Sequence, residues 1–285
     1  MKNYFFLLPL YNDWKSLQKL LEIINNEIKK INIKANFFII DDHSSSQKKL
    51  NLSKLKNLKK VKIIKLNKNL GSQKAISVGL RYLKNIKKKS IITILDSDGE
   101  DDPTQIKNMI RSVKQNPNHV TVSCRDKRKE GLIFKFLFFF HKLITFLFTF
   151  KWISFGNYAS FNSKLIKSIL SDNSSWFALS SAYAKNTIIK RLYADRKKRY
   201  YGKSKLSLKA LFIHAIRINC VFLHRVIFLS FFYLFLFFFL NTFLFNLLIL
   251  PIIMFNFFSL IIFFQTNPKE YLHSKNLIKK IVVVK

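Results

Sequence analysis

Leu95-Asp96-Ser97-Asp98-Gly99-Glu100-Asp101-Asp102-Pro103 packs four Asp and one Glu into nine residues, directly behind an apolar run at 91–95. That run has the length and composition of a buried strand. Pro103 suits the first turn of a helix reaching to about residue 114. Asp96 and Asp98 therefore sit two residues apart just past a strand end. Carboxylates this close repel one another unless a cation or dipole compensates. A divalent ion shared with a diphosphate would do so, and would neutralise charge on a departing diphosphate. Asp101 and Asp102 suit the plainer role of capping the next helix.

The same strand-then-polar pattern repeats upstream. Residues 4–8 form an apolar run ended by Pro9, and Trp14, Leu17, Leu20, Leu21, Ile24 and Ile28 then recur at helical spacing. Strands are predicted at 36–40, ended by Asp41-Asp42, at 61–66 and at 120–124. A helix carrying Ala75, Val78, Gly79 and Tyr82 starts near Gly71-Ser72. This alternation predicts an α/β domain with a mostly parallel sheet and helices on both faces. Ligands of such sheets bind beyond the carboxyl ends of the strands. Each polar cluster falls at such an end. In Pro9-Leu10-Tyr11-Asn12-Asp13, Tyr11 suits stacking on a base and Asp13 suits bonding it, or the segment is a plain helix cap. Asp41-Asp42-His43-Ser44-Ser45 offers carboxylates to a base or ribose, or starts a helix. Asn69-Leu70-Gly71-Ser72-Gln73-Lys74 is a helix start whose amides suit an anion.

The chain has 285 residues and a formal net charge of +35. Such charge suits an anionic partner, but 41 of the 50 basic residues are Lys, which reads as Lys being the default surface residue. A domain resting on an anionic leaflet gains from the same charge. The two cysteines, Cys124 and Cys220, lie far apart in no zinc or redox motif. The N-terminal apolar run is too short for a signal peptide, so the domain is expected to stay in the cytosol with free thiols.

Two later segments differ in character. Over 132–150, Lys135, His141, Lys142, Thr145 and Thr149 fall on one arc of about 120°, and Phe, Leu and Ile fill the rest, as in a helix lying in a membrane interface. Between Val226 and Pro268 no residue is charged. One helix of that length would measure roughly 65 Å, about twice the ~30 Å core of a bilayer, so the chain must turn back. Helices are expected at 223–243 and 247–265, with Asn241, Thr242 and Asn246 near the turn and Pro251 in the opening turn of the second. Arg217 and Arg225 precede this hairpin and Lys269, Lys275, Lys279 and Lys280 follow it, so both ends are expected on the cytosolic side. The expected units are a cytosolic domain at 1–210, a membrane hairpin at 211–268 and a basic tail at 269–285.

A last cluster, Arg196-Lys197-Lys198-Arg199-Tyr200-Tyr201-Gly202-Lys203-Ser204-Lys205, lies at the membrane boundary and suits phosphate, or serves only as a positive flank. In their order these clusters, together with residues 155–158, resemble the family-2-type inverting glycosyltransferases. Among those they look most like dolichyl-phosphate mannose synthase and the bacterial polyprenyl-phosphate glycosyltransferases. The resemblance implies a Rossmann-like GT-A domain and a nucleotide-diphosphate sugar donor. It implies that Pro9, Tyr11, Asp13, Asp41 and Gln73 line the nucleotide pocket, with Asp42 in the same strand-end pair, and that Asp96, Asp98 and Glu100 hold Mg²⁺ or Mn²⁺. Arg125, Arg199, Ser204 and Lys205 would contact phosphates of donor and acceptor. Asn157 stands where relatives often carry Asp, Lys203 where Glu is common and Glu100 where Gln is common.

The expected acceptor is a polyprenyl phosphate. Its oxygen is already anionic, which fits six histidines that form no cluster. Asp98 would serve the leaving diphosphate, and Arg199, Ser204 and Lys205 the attacking phosphate. Membrane lipids are expected partners, nucleic acid is not, and a homo-oligomer is compatible with the chain. Two rival readings are transfer to a lipid-linked oligosaccharide or polysaccharide, whose hydroxyl acceptor needs a base, and a non-enzymatic basic membrane-surface protein.

Overall fold

The computed structural model describes residues 3–46, 48–85, 89–125, 132–202, 208–240 and 243–285. The first half follows the expected alternation: β1 (Tyr4–Leu10), α1 (Trp14–Lys30), β2 (Ala35–Asp41), β3 (Leu58–Leu66), α2 (Ser72–Tyr82) and β4 (Ile91–Ile94). A 3-10 turn at Pro103–Gln105 leads into α3 (Ile106–Gln115), then β5 (His119–Arg125). Next come α4 (Leu132–Thr149), β6 (Phe155–Asn162), the short α5 (Ile166–Ile169) and α6 (Ser174–Phe177), α7 (Leu179–Asn186) and β7 (Ile188–Ala194). The chain continues through α8 (Leu208–Cys220), α9 (Leu223–Phe239), α10 (Phe243–Gln265) and β8 (Ile278–Val283).

The strands make one sheet in the order β7-β5-β6-β4-β1-β2-β3-β8. β4, β1, β2 and β3 run parallel, so their carboxyl ends share one edge. Successive β1 side chains serve opposite faces. Phe6, Leu8 and Leu10 pack with Leu17, Leu21, Met109 and Ile110 of α1 and α3. Leu7 packs with Ala75, Ile76 and Val78 of α2 and with the layer holding Trp176 and Tyr183. Burial on both faces is why β1 reads as an unbroken apolar run. Gly79 lets α2 lie close: a Cβ there would stand 2.7 Å from Leu7 Cδ1 and 2.9 Å from Ile40 Cδ1.

Four expectations change. β1 runs through Pro9 to Leu10. Its pairing with β4 stops at Leu7, so the ladder on that side loses nothing to the missing N–H of Pro9. The basic tail is no loose appendage: Ile278–Val283 forms β8, antiparallel to β3. Pro251 sits well inside α10 rather than in its first turn. The threonine end of the polar arc of α4 faces inward, while Lys135 at its other end is exposed. Thr145 and Thr149 are 1% and 0% exposed, whereas Phe136 and Phe139 are 66% and 52% exposed.

The four late helices are stitched by polar bonds. Asn219 Nδ2 donates to Thr145 Oγ1 at 3.4 Å, Arg225 Nη1 to the Thr149 carbonyl at 2.7 Å, and Tyr233 OH to the Leu147 carbonyl at 2.7 Å. Asn256 Nδ2 donates to Ser230 Oγ at 2.8 Å. Among the described residues one helical run, Phe245–Tyr271, is long and apolar enough to cross a membrane. The pair Lys209–Cys220 and Leu223–Phe239 qualifies only jointly and is bent by 88°.

Candidate active site

Parallel pairing brings the loops after β1, β2, β3 and β4 to one edge, and hydrogen bonds lace them together. Asn12 and His43 adopt left-handed backbone with φ of 57° and 61°, so each strand turns sharply at its end. Asn12 N–H donates to Ser44 Oγ, and Asn12 Oδ1 accepts from Ser45 N–H, each at 2.9 Å. Trp14 Nε1 donates to the Ser46 carbonyl at 2.7 Å. Tyr11 remains exposed at this edge.

Several residues expected to meet the nucleotide also have partners within the chain. Asp42 is buried and accepts from Leu70 N–H at 2.7 Å and Gly71 N–H at 2.8 Å. The anion at the start of α2 is therefore the protein's own carboxylate. Burial pushes the Asp42 carboxyl above its usual value, against the pull of those two amides. Asp41 is buried too, and its Oδ1 accepts from Ser44 N–H at 3.0 Å. Pro9 is buried within β1. Gln73 Oε1 accepts from Leu179 N–H at 2.8 Å, and its Nε2 donates to Asn157 Oδ1 at 2.9 Å. Arg125 ends β5.

The acidic loop after β4 is the centre of charge. Gly99, with φ of 88°, turns it back on itself. Asp96 N–H donates to Asp101 Oδ2 at 2.9 Å, and Asp102 Oδ1 caps the 3-10 turn by accepting from Thr104 N–H at 3.1 Å. Asp98 Oδ1 accepts from Glu100 N–H at 3.0 Å. Asp96 Oδ1 accepts from Asn157 Nδ2 at 3.2 Å.

Onto this loop folds the basic segment the sequence had suggested for an acceptor phosphate. Arg199 bridges Asp13 and Asp98, reaching Asp98 Oδ2 at 3.2 Å. Arg196 pairs with Glu100, and Lys197 with Asp102 at 3.3 Å. Two backbone bonds fasten the segment: Lys197 N–H to the Glu100 carbonyl and Tyr200 N–H to the Asp98 carbonyl, both 3.0 Å. The Tyr200 ring lies so near Gly99 that a Cβ there would stand 2.3 Å from it. Burial pushes the Asp98 carboxyl up, while Arg199 and Arg196 pull it back. Burial, aided by Asp102 and Asp98, pushes the Tyr200 hydroxyl up to about 12. Ser204 and Lys205 lie outside the described residues.

Asp96, Asp98 and Glu100 do not converge as a trio. Among the described residues no group of three or more His, Cys, Asp or Glu side chains is arranged to hold a metal ion. Glu100 pairs instead with Arg196. The two remaining carboxylates still fit a hard cation of the kind held by one or two side chains plus substrate phosphates. Asp98 in particular is a mostly buried anion that needs a positive neighbour, here supplied by arginines.

The polarity of one hydrogen-bond chain, from Leu179 through Gln73 and Asn157 to Asp96, was not legible beforehand. Its three links span 106, 84 and 61 positions of sequence, so its members meet only in the fold.

No curated protein matches this sequence. Solved structures resemble it at low identity. Glucosyl-3-phosphoglycerate synthase from Mycobacterium tuberculosis, in complex with Mn²⁺, UDP and glucosyl-3-phosphoglycerate, aligns with a TM-score of 0.50 at 10% identity, covering 79% of this chain and 80% of that one. Mannosyl-3-phosphoglycerate synthase from Rubrobacter xylanophilus aligns with a TM-score of 0.50 at 11% identity, over 79% and 74%. S. aureus TarS 1-349 in complex with UDP-GlcNAc aligns with a TM-score of 0.47 at 15% identity, over 78% of this chain and 66% of that chain. At these identities the likeness speaks for the fold alone. The family model of glycosyl transferase family 2 matches residues 6–179, more than half of the chain. That span takes in the strand ends and the acidic loop described above, and the chain belongs to glycosyl transferase family 2, a nucleotide-sugar glycosyltransferase of the Rossmann-like GT-A fold.

Proposed function

We propose that this glycosyltransferase moves a sugar from a nucleotide diphosphate to a polyprenyl phosphate at the cytosolic membrane face, with inversion, and that it belongs with the dolichyl-phosphate mannose synthase-like members of its family. The observation that carries the reading is the inside-out helix layer beside the donor edge. α4, α9 and α10 turn threonines, serine and asparagine inward and present Phe136, Phe139, Phe231, Phe235 and Phe257 outward. An aromatic surface of this extent is stable against lipid and costly against water.

The return of the chain supports a hairpin. β8 is bonded to β3, so the segment after α10 lies on the same side as the sheet that precedes α8. A chain that leaves and returns to one side crosses a bilayer an even number of times. α9 and α10 are the helices available for that path, with α4 and α8 at the interface. On this reading the units are 1–210, the hairpin within 211–268, and a return segment at 269–285 that rejoins the first unit.

Asp96 and Asp98 would hold Mg²⁺ or Mn²⁺ together with the diphosphate, and the ion supplies neutralisation of the leaving group when bound. Tyr11 offers its exposed ring to the base. Arg199 and Arg196, on a segment held by a few bonds, can exchange carboxylate partners for phosphate oxygens, which Arg binds in forked geometry. The attacking oxygen of a phosphate is anionic at neutral pH, so attack on the anomeric carbon needs no proton removed. Residue 157, an amide that cannot accept a proton at neutral pH, is compatible with that chemistry.

The test is product identity. Membranes carrying the protein would be given labelled nucleotide sugars and polyprenyl phosphate. A single sugar joined to the lipid through one phosphate, labile to mild acid, supports the reading. Label appearing only in a lipid-diphosphate oligosaccharide or a polymer refutes it.

A further inference from the structure

Leu179, Gln73, Asn157 and Asp96 form a hydrogen-bond chain whose direction is fixed at one end. Leu179 opens α7, so its amide N–H has no partner within the helix. A backbone N–H can only donate, so the atom of Gln73 facing it at 2.8 Å is the amide oxygen. That choice turns Gln73 Nε2 toward Asn157, where it donates to Oδ1 at 2.9 Å. Asn157 Nδ2 is then the atom left to face Asp96 Oδ1, at 3.2 Å. No link can be reversed without setting two donors or two acceptors against each other.

We infer that Gln73 and Asn157 are positioning residues: they relay the donor polarity of the α7 N-terminus to Asp96, holding that carboxylate in place. This inference rests on the reading above that Asp96 serves the nucleotide-diphosphate donor. It adds to the expectation that Gln73 itself lines the nucleotide pocket, because each end of its amide also holds a partner inside the chain. It also gives residue 157 a reason to be an amide. An Asp at 157 accepting from Gln73 would set a second carboxylate oxygen against Asp96, where the amide now donates. Hydrogen bonds in such a chain polarise one another, and the last of them is made to a charged acceptor.

Two substitutions of Gln73 separate this role from simple packing. Gln73→Glu keeps the length and the bond to Leu179 but presents an acceptor to Asn157, so the relay ends with an acceptor facing either Asn157 or Asp96. Gln73→Met removes the relay without reversing it. The probe is Mn²⁺ titrated by paramagnetic resonance into the detergent-solubilised full chain with UDP or with GDP. Expected is about tenfold weaker Mn²⁺–nucleotide binding for Gln73→Met and a loss on the order of a hundredfold for Gln73→Glu. A packing role predicts the opposite order, since Glu is the closer match in shape. Gln73→Glu binding as well as Gln73→Met, or better, would overturn the inference while leaving the donor reading intact. Should Gln73→Glu fail to fold, Asn157→Leu replaces it. That variant and the double variant Gln73→Met/Asn157→Leu should each lose about as much as Gln73→Met alone, because one chain is broken once. Losses that multiply would overturn the relay. Wild-type protein binding Mn²⁺ with neither nucleotide would remove the donor reading and this inference with it.

Discussion

Arg199→Ala deletes the guanidinium that bridges Asp13 and Asp98, and the structure sets the size of the effect. The side chains of Arg199, Asp13 and Asp98 are 19%, 15% and 19% exposed, so the bridge is mostly out of water. Breaking a fully buried ion pair by removing one partner costs about 3–5 kcal/mol, and an exposed pair contributes about 0–1 kcal/mol. Here a fifth or less of each side chain is wet, and Arg196 still acts on Asp98. The expected loss is about 2–3 kcal/mol. Arg199→Lys reaches one carboxylate instead of two and should lose about 1 kcal/mol. The assay is unfolding of the purified protein in detergent, followed by tryptophan fluorescence with and without millimolar Mn²⁺. The freed carboxylates should make Arg199→Ala gain more stability from Mn²⁺ alone than the wild type does. A variant as stable as the wild type, with the same response to Mn²⁺, would refute the view that the basic segment neutralises the acidic loop.

Asp42→Ala leaves two amides, Leu70 and Gly71, without their acceptor and should cost about 2–4 kcal/mol, while Asp42→Asn keeps one acceptor oxygen and should cost about half as much. Equal unfolding midpoints for the two variants would count against the capping role. Gly99→Ala forces a side chain into left-handed backbone and into the Tyr200 ring, so a loss of about 2 kcal/mol is expected, with increased proteolysis near residue 200 as a local readout. Wild-type cleavage kinetics would show that Tyr200 does not depend on that contact.

The sequence was most legible where short-range pattern and burial agree. β1 through β5 and α1 through α3 appear within a few residues of their expected places, because strands buried on both faces leave unbroken apolar runs and the helices between them leave a 3.6-residue period. The acidic loop could be placed at a strand end for the same reason. β8 could not be seen: Lys279 and Lys280 interrupt its alternation, and an edge strand tolerates them where a central one would not. The inward turn of Thr145 and Thr149 was hidden as well, since a polar arc looks alike whether it faces water or a neighbouring helix. The partners that Asp42, Gln73 and Arg199 hold within the chain could not be read for a common reason. Sequence shows which groups stand at strand ends, but the partner that satisfies each one comes from segments tens of residues away. Asp42 met the start of α2, Gln73 met α7, and Arg199 met two acidic loops.

The most direct measurement is donor binding that depends on both a divalent ion and Asp98. In calorimetric titration of UDP- and GDP-sugars into the solubilised protein, heat of binding should appear with Mn²⁺ for one of them. It should vanish when the ion is chelated, and vanish again in Asp98→Ala that still unfolds in one cooperative transition. Binding of equal strength in folded Asp98→Ala, or binding indifferent to the ion, would contradict the placement of the sugar donor at the acidic loop.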